Sequence, residues 1–202
     1  MMLIACIIAY NDADMLDGCL YSIKGVADRV IVVDGAYRHF PHKSARSTDN
    51  TADVAFHHGA DFIAVAESWP AEECKRNRYL RGSDGDYYIV IDTDERLVGE
   101  FPKDELLTSG LDVAAIQIDR PNVGSFPLQR IYRHQDGLHY KGTHYAVWAG
   151  DRLLPRNDIP VITGCKLLHL TDERDNERKE NKGTYYRHLQ VKEAKGRQAY
   201  GI

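Results

Sequence analysis

The first half of the chain alternates short apolar runs with amphipathic segments. Four of the runs are rich in β-branched residues, which is typical of strands that are buried on both faces; they cover residues 3–9, 29–33, 62–65 and 88–91. The segments between them carry apolar residues at helical spacing, which predicts helices over 12–23, 47–59 and 72–80. This alternation predicts a parallel sheet with right-handed crossovers.

The second half carries shorter and more irregular apolar segments. They predict a short helix at 106–111, strands at 113–118, 129–133, 145–148 and 161–169, and a highly charged helix over 172–198. We expect the late strands to complete a mixed α/β sheet. No linker marks a second domain, so the prediction is a single domain over residues 1–202, built from the halves 1–100 and 101–202.

Composition limits the partners and the location. The 202 residues include 26 Lys and Arg and 30 Asp and Glu, which gives a net charge of −4 and no basic field of the kind that nucleic acid requires. The four cysteines have no zinc-like spacing. The apolar N-terminal run is too short to span a bilayer and has no basic residues before it. We therefore interpret it as a strand, not a signal peptide, and expect a cytoplasmic location.

Three carboxylates follow the fourth predicted strand, at Asp92, Asp94 and Glu95. Like charges this close repel and raise one another's pKa, and a divalent cation removes that penalty. Carboxylate oxygens suit Mg²⁺ or Mn²⁺. Since ligands of open α/β sheets bind at the carboxyl ends of the strands, the pattern predicts a metal site that holds a phosphorylated substrate.

Several short motifs follow one another in a fixed order. They lie at residues 4–11, 19–23, 30–34, 47–51, 76–77, 91–95 and 168–169, before a basic helix with Tyr185 and Tyr186. This order resembles the family 2 glycosyltransferases, in particular the short bacterial type that includes lipopolysaccharide core transferases. The resemblance implies the GT-A fold, a Rossmann-like, largely parallel mixed sheet flanked by helices. It also implies that residues 1–100 bind the donor and residues 101–202 the acceptor.

The resemblance implies a nucleotide-diphosphate sugar as donor, held through Mn²⁺ or Mg²⁺. Asp92 and Asp94 match the family's Asp-x-Asp motif, with Asp92 near the ribose and the metal and Asp94 directly at the metal. His169, at the end of the last predicted strand, matches a histidine that completes the metal shell. An imidazole is an acceptable ligand for Mn²⁺ and a poorer one for Mg²⁺.

Four further residues are implied in the donor pocket. Asp34 matches the family's nucleotide-binding aspartate, although a turn at Asp34-Gly35 is the alternative interpretation. Ala9 and Asn11 are expected to line the same pocket. Arg76 is expected either to bind the diphosphate or to orient the Asp-x-Asp loop.

An inverting transferase also needs a general base near the acceptor hydroxyl. Relatives often carry His-Glu after a Tyr-x-Gly segment, whereas this chain has Tyr140-Lys141-Gly142-Thr143-His144 and lacks the acid. His144 is one candidate base because an imidazole titrates near neutrality. Asp119, after the strand at 113–118, is the second candidate.

The predicted function is transfer of a sugar to a saccharide or glycolipid acceptor, with inversion favoured. A nucleotidyltransferase is the first alternative, but the acidic loop after the first strand lacks the glycines that hold a triphosphate. A non-catalytic nucleotide-sugar-binding protein of the same fold is the second. Residues 36–46 interrupt the usual Asp-x-x-Ser-Thr-Asp element and are expected to form a substrate lid or a disordered insertion. Their aromatic and basic residues also suggest contact with the inner face of a membrane.

Overall fold

The structure is a computed structural model that describes residues 1–81, 83–142, 146–170, 176, 179–181, 183–185 and 187. The named helices are α1 Ala13–Ser22, α2 Thr51–His57, α3 Glu72–Leu80 and α4 Lys103–Ser109. The strands are β1 Leu3–Ala9, β2 Arg29–Asp34, β3 Asp61–Ile63, β4 Tyr87–Val90, β5 Glu95–Gly99, β6 Val113–Arg120, β7 Gly124–Arg133, β8 Leu138–Lys141, β9 Ala146–Ala149, β10 Arg152–Leu153 and β11 Val161–His169. All strands and helices predicted for the first half are present.

Eight strands form the central sheet, in the order β3-β2-β1-β4-β7-β6-β11-β5. The pairs β1–β2, β1–β4, β2–β3 and β6–β11 are parallel, whereas β4–β7, β6–β7 and β5–β11 are antiparallel. The predicted fold class, a largely parallel mixed sheet flanked by helices, is confirmed.

The central sheet buries both of its faces. Along β1, Leu3 and Ile7 belong to a core that includes Leu16 of α1, whereas Ile4 belongs to a second core that includes Tyr79 of α3. A strand covered on both faces needs apolar side chains at every position. This is why β1 is continuously apolar and does not alternate with polar residues.

A small second sheet corrects the prediction for the late strands. The strand predicted at 145–148 is β9, and it pairs with β8 and β10 in a separate three-stranded sheet instead of completing the central one. Asn77 of α3 fixes this sheet: its Nδ2 donates to the Tyr140 carbonyl at 2.9 Å, and the Tyr140 N–H donates to its Oδ1 at 2.6 Å.

Strand β5, which was not predicted, directly follows the Asp-x-Asp segment and sets the direction of the chain after Asp94. It begins at Glu95 and pairs antiparallel with β11, with His169 opposite Glu95.

The helix predicted at 172–198 falls mostly outside the described residues; residues 176, 179–181, 183–185 and 187 are helical. Within the described part of the chain, no helix combines the length and the apolar character that crossing a membrane requires.

Candidate active site

A cavity of about 680 Å³ opens at the carboxyl ends of β1, β2 and β4. Its lining comes from the chain at or after the end of each of these strands: Ala9 and Tyr10, then Gly35, Ala36, Tyr37 and Phe40, then Asp92 to Asp94. Strand β7 adds Arg130 and its neighbours, and α3 adds Lys75 and Arg76. The volume lies in the range of ligand pockets, and the place is where α/β sheets bind ligands.

Two arginines hold the Asp92 carboxylate. Arg76 Nη2 lies 3.1 Å from Asp92 Oδ1, and Arg130 Nη2 lies 3.1 Å from Asp92 Oδ2. Arg76 also pairs with Glu72, one helical turn earlier, at 2.9 Å. Both guanidinium groups are nearly buried, so their charges are weakly screened. The predicted association of Arg76 with the Asp-x-Asp loop therefore has a direct contact, whereas Arg130 was not predicted at all.

Asp94 faces His169. The Oδ2 atom of Asp94 lies 3.8 Å from His169 Nε2, and the Leu170 N–H donates to the Asp94 carbonyl at 2.7 Å. A carboxylate oxygen and an imidazole nitrogen that face each other are a donor set that fits Mn²⁺. Among the residues that the structure describes, no group of three or more His, Cys, Asp or Glu side chains is arranged to hold a metal ion. Two protein ligands are enough where substrate phosphates and water complete the shell.

Glu95 stabilises the segment 92–95 through two side-chain contacts. Its side chain is fully buried, its Oε1 accepts from Arg130 Nη2 at 2.5 Å, and its Oε2 accepts the Asp92 N–H at 2.9 Å. Burial raises the pKa of Glu95 to about 7; the charge of Arg130 opposes this shift, and that of Asp92 adds to it. The loop is thus held by a closed set of charged contacts.

Asp34 and Asn11 organise the loops beside the cavity. The Asp34 carboxylate is 1% exposed and accepts from the Ser47 N–H at 3.0 Å and from the Ser47 hydroxyl at 2.5 Å. The Asn11 N–H donates to the Ser47 hydroxyl oxygen at 2.7 Å, and Asn11 Oδ1 accepts the Thr48 N–H at 2.7 Å. Of the predicted donor residues, Ala9, Arg76 and Asp92 line the cavity, whereas Asp34 and Asn11 are not among its lining residues.

Lys75 and Trp69 tie the strand ends together and were not predicted. Lys75 Nζ donates to the carbonyls of Ala9 and Gly35, both at 2.6 Å, although its side chain comes from α3. Trp69 Nε1 donates to the Asp34 carbonyl at 2.8 Å. The carbonyls at the ends of β1 and β2 therefore have side-chain donors, as buried polar groups require.

Residues 36–46 form one wall of the cavity. Tyr37 and Phe40 point inward, and the Tyr37 ring stacks on Tyr185 with centroids 5.2 Å apart and planes at 28°. Phe40 meets Tyr10 and Tyr185 edge-on, at 6.0 and 6.1 Å. We call these four rings, Tyr10, Tyr37, Phe40 and Tyr185, the aromatic wall. The exposed residues of the segment include Arg38, His39 and Lys43, so the outer surface of 36–46 is basic and not aromatic.

The two candidate bases are placed differently. Asp119 lies on β6 outside the cavity lining, and its carboxylate accepts from Lys166 Nζ at 2.6 Å. His144 lies outside the described residues. The role of each stays a prediction.

The comparisons with known proteins concern the fold. No family model matches the chain. It is 26% identical over 149 residues to a TPR repeat-containing protein of Synechococcus elongatus, which covers 69% of this chain and 34% of that protein. S. aureus TarS 1-349 in complex with UDP superposes with a TM-score of 0.51 at 20% identity, over 63% of this chain and 38% of that chain. Glucosyl-3-phosphoglycerate synthase from Mycobacterium tuberculosis gives 0.43 at 22% identity, over 58% and 44%.

The architecture is that of the GT-A glycosyltransferases, which confirms the fold expected from the resemblance. This chain spans less than half the length of each of these three relatives. The likeness is one of fold, and one fold supports many activities. What the site does must therefore be argued from its own residues.

Proposed function

We propose that the protein is a metal-dependent glycosyltransferase that moves a sugar from a nucleoside-diphosphate donor to an acceptor hydroxyl with inversion. The observation that carries the proposal is the pairing of Asp94, which follows β4 and lines a ligand-sized cavity, with His169 at the end of β11. Clustered acids in such a place are costly unless a cation balances them. Arg76 and Arg130 contact Asp92, and Arg130 also contacts Glu95. We assign the cation to Asp94 and His169, because their oxygen and nitrogen atoms face each other.

The cavity suits a nucleoside diphosphate. Its lining includes Arg76 and Arg130, whose guanidinium groups favour the binding of an anionic group. The aromatic wall offers ring faces against which a base can stack. Ala9 lines the cavity beside it, while Asn11 and Asp34 set the shape of the adjoining loops. TarS, which shares the fold, was crystallised with UDP, and this supports a uridine nucleotide as the first donor to try.

The cation would be Mn²⁺ or Mg²⁺, held by Asp94 and His169, with Asp92 close by. When bound, it would supply positive charge at the diphosphate oxygens, where negative charge develops as the sugar leaves. Arg76 and Arg130 keep Asp92 in place and add positive charge to the same region. Asp94 is 2% exposed, so its carboxylate is shielded from bulk water.

The acceptor is proposed to be a saccharide or a glycolipid. Its hydroxyl would lose a proton to a general base as it attacks the anomeric carbon. His144 and Asp119 are the two candidates, and the proposed function requires one such base but does not depend on which. A cytoplasmic location and contact with the inner face of a membrane belong to the same proposal; the basic outer surface of residues 36–46 supports the membrane contact.

The test is turnover of nucleotide sugars. The protein is incubated with UDP-glucose, UDP-N-acetylglucosamine or GDP-mannose, with and without Mn²⁺ and with simple saccharide acceptors, and release of UDP or GDP is measured. We expect Mn²⁺-dependent release from one donor and none from Asp94→Ala. The anomeric configuration of the product, read by NMR, tests inversion. Nucleotide binding without release from any donor would favour the non-catalytic alternative.

A further inference from the structure

Strand β7 contains a bulge at Arg130. On β6, Ala114 lies opposite Ile131 and the next residue, Ala115, lies opposite Gln129, so Arg130 is the extra residue in β7. On the other side of β7, pairing with β4 ends at Ile89 opposite Ile131. Bulges redirect side chains and are frequent beside active sites. Arg130 is therefore the first β7 residue past the last β4–β7 pair, level with the end of β4, from which the chain continues toward the segment 92–95.

The redirected side chain joins two carboxylates. Arg130 Nη2 lies 3.1 Å from Asp92 Oδ2 and 2.5 Å from Glu95 Oε1. Arg130 is 8% exposed and Glu95 is not exposed at all, so the contacts lie where solvent screens them little. Among the described residues, the buried Nε atom of Arg130 has no hydrogen-bond partner. The arginine keeps this position although it leaves one of its donors unsatisfied.

In the sequence, Asp94 lies between Asp92 and Glu95, the two acidic residues that Arg130 contacts. The segment 92–95 is closed by the bond from the Asp92 N–H to Glu95 Oε2 and by a backbone bond from the Glu95 N–H to the Asp92 carbonyl at 2.9 Å. Fixing Asp92 and Glu95 therefore fixes the turn that presents Asp94 to His169. Side chains that orient the ligands of a metal are often as necessary as the ligands themselves.

We propose that Arg130 is a positioning residue of the donor site, which holds the 92–95 turn in the shape that directs Asp94 toward His169. The inference rests on the proposed function, because the site it positions is the nucleotide–cation site. Arg130 acts through Asp92 and Glu95, and it need not touch the ligand itself.

A double-mutant cycle between Arg130 and Asp92 tests this route. Arg130→Met, Asp92→Asn and the double variant are titrated with UDP and GDP in the presence of Mn²⁺, and their melting temperatures are measured in parallel. Each single substitution should lower the affinity about tenfold, as for other residues that orient metal ligands. The double variant should lose less affinity than the sum of the two single losses, since either substitution alone already removes the contact between Arg130 and Asp92. Losses that add would overturn the proposal.

Arg130→Lys keeps the inference testable if Arg130→Met fails to fold. Methionine would leave Glu95 buried without its cation, which is strongly destabilising, whereas lysine retains the charge. We expect Arg130→Lys to fold and still to lose affinity several-fold, because the shorter lysine side chain does not reach the position of Nη2, the single nitrogen that contacts both carboxylates. Wild-type affinity in this variant would overturn the proposal.

Arg133→Met is the matched control. Arg133 lies on the same strand but pairs with Asp112 at the exposed rim of the sheet, so its loss should leave nucleotide affinity unchanged. Wild-type protein that bound neither nucleotide would overturn the proposed function and this inference with it. Wild-type binding with additive losses in the cycle would overturn the inference alone.

Discussion

The Nε2 atom of His169 lies 3.8 Å from the Oδ2 atom of Asp94, although Asp94 lies in the connection between β4 and β5 and His169 ends β11. The antiparallel pairing of β5 with β11 brings them together, because it sets His169 opposite Glu95, the residue after Asp94. Neither residue alone defines a metal site. Together they offer an oxygen and a nitrogen atom, which we propose as cation ligands; Asp94 lines the cavity, whereas His169 is not among its lining residues.

His169→Ala should weaken Mn²⁺ binding more than about tenfold, since loss of the imidazole removes one of the two proposed protein ligands. The measurement is a titration of Mn²⁺ followed by electron paramagnetic resonance, without any nucleotide. His58→Ala is the control, because His58 also pairs with an aspartate, Asp17 at 2.8 Å, but lies outside the cavity lining. Equal Mn²⁺ affinities in the two variants would argue against His169 as a ligand.

Lys75→Met should lower the free energy of unfolding by about 3 kcal/mol, because two buried carbonyls at strand ends lose a charged donor. Urea denaturation measures the change. The control is Lys103→Met, which removes a half-exposed pair with Asp28 and should cost less than about 1 kcal/mol. A similar cost for both substitutions would show that the Lys75 contacts add little.

Trp69→Phe should cost about 1 kcal/mol of stability, because the bond from Nε1 to the Asp34 carbonyl is lost while the ring volume is largely kept. Trp148→Phe is the matched control: the buried Nε1 of Trp148 has no hydrogen-bond partner within the described part of the chain. That substitution removes a donor that makes no bond and should therefore cost less stability than Trp69→Phe. Denaturation midpoints that fell equally would contradict this account of Trp69.

Tyr185→Ala should lower the affinity for UDP about tenfold, the usual worth of one aromatic ring stacked against a base. Affinity for inorganic pyrophosphate should not change, because pyrophosphate has no base. Tyr185→Phe keeps the ring that stacks on Tyr37 and should bind UDP like the wild type. Calorimetric titration of both ligands gives the comparison. A parallel loss for UDP and pyrophosphate would mean that Tyr185 supports the cavity as a whole and not the base.

The sequence predicts the parallel half of the fold well because its strands are buried on both faces. Strands such as β1 and β4 are continuously apolar, and this signal needs no knowledge of tertiary contacts. Strand β5 was missed because it opens with Glu95 and Arg96, and charged residues do not indicate a strand. Glu95 is buried there only because Arg130 balances its charge.

The Asp-x-Asp part of the site could be predicted because it follows a continuously apolar strand. Asp92 and Asp94 follow a recognisable strand, so their position was visible in the sequence. Arg130 was not visible, since it acquires its place from a bulge that depends on the register of β7 against β6. Asp34 was expected to bind the nucleotide, and that role stays a prediction; its bonds to Ser47, which lies thirteen residues later, could not be predicted from the strand pattern. The hydrogen-bond partner of each such side chain depends on tertiary packing and not on the local sequence.

The most direct test of the central claim is calorimetric titration of UDP and GDP with and without Mn²⁺, on the wild type and on Asp94→Ala. Asp136→Ala, an exposed aspartate away from the cavity lining, is the control. We predict that one nucleotide binds only with Mn²⁺, that Asp136→Ala retains this binding and that Asp94→Ala loses it. Binding of neither nucleotide with Mn²⁺, or unchanged Mn²⁺-dependent binding in Asp94→Ala, would contradict the claim that Asp94 belongs to a nucleotide–metal site.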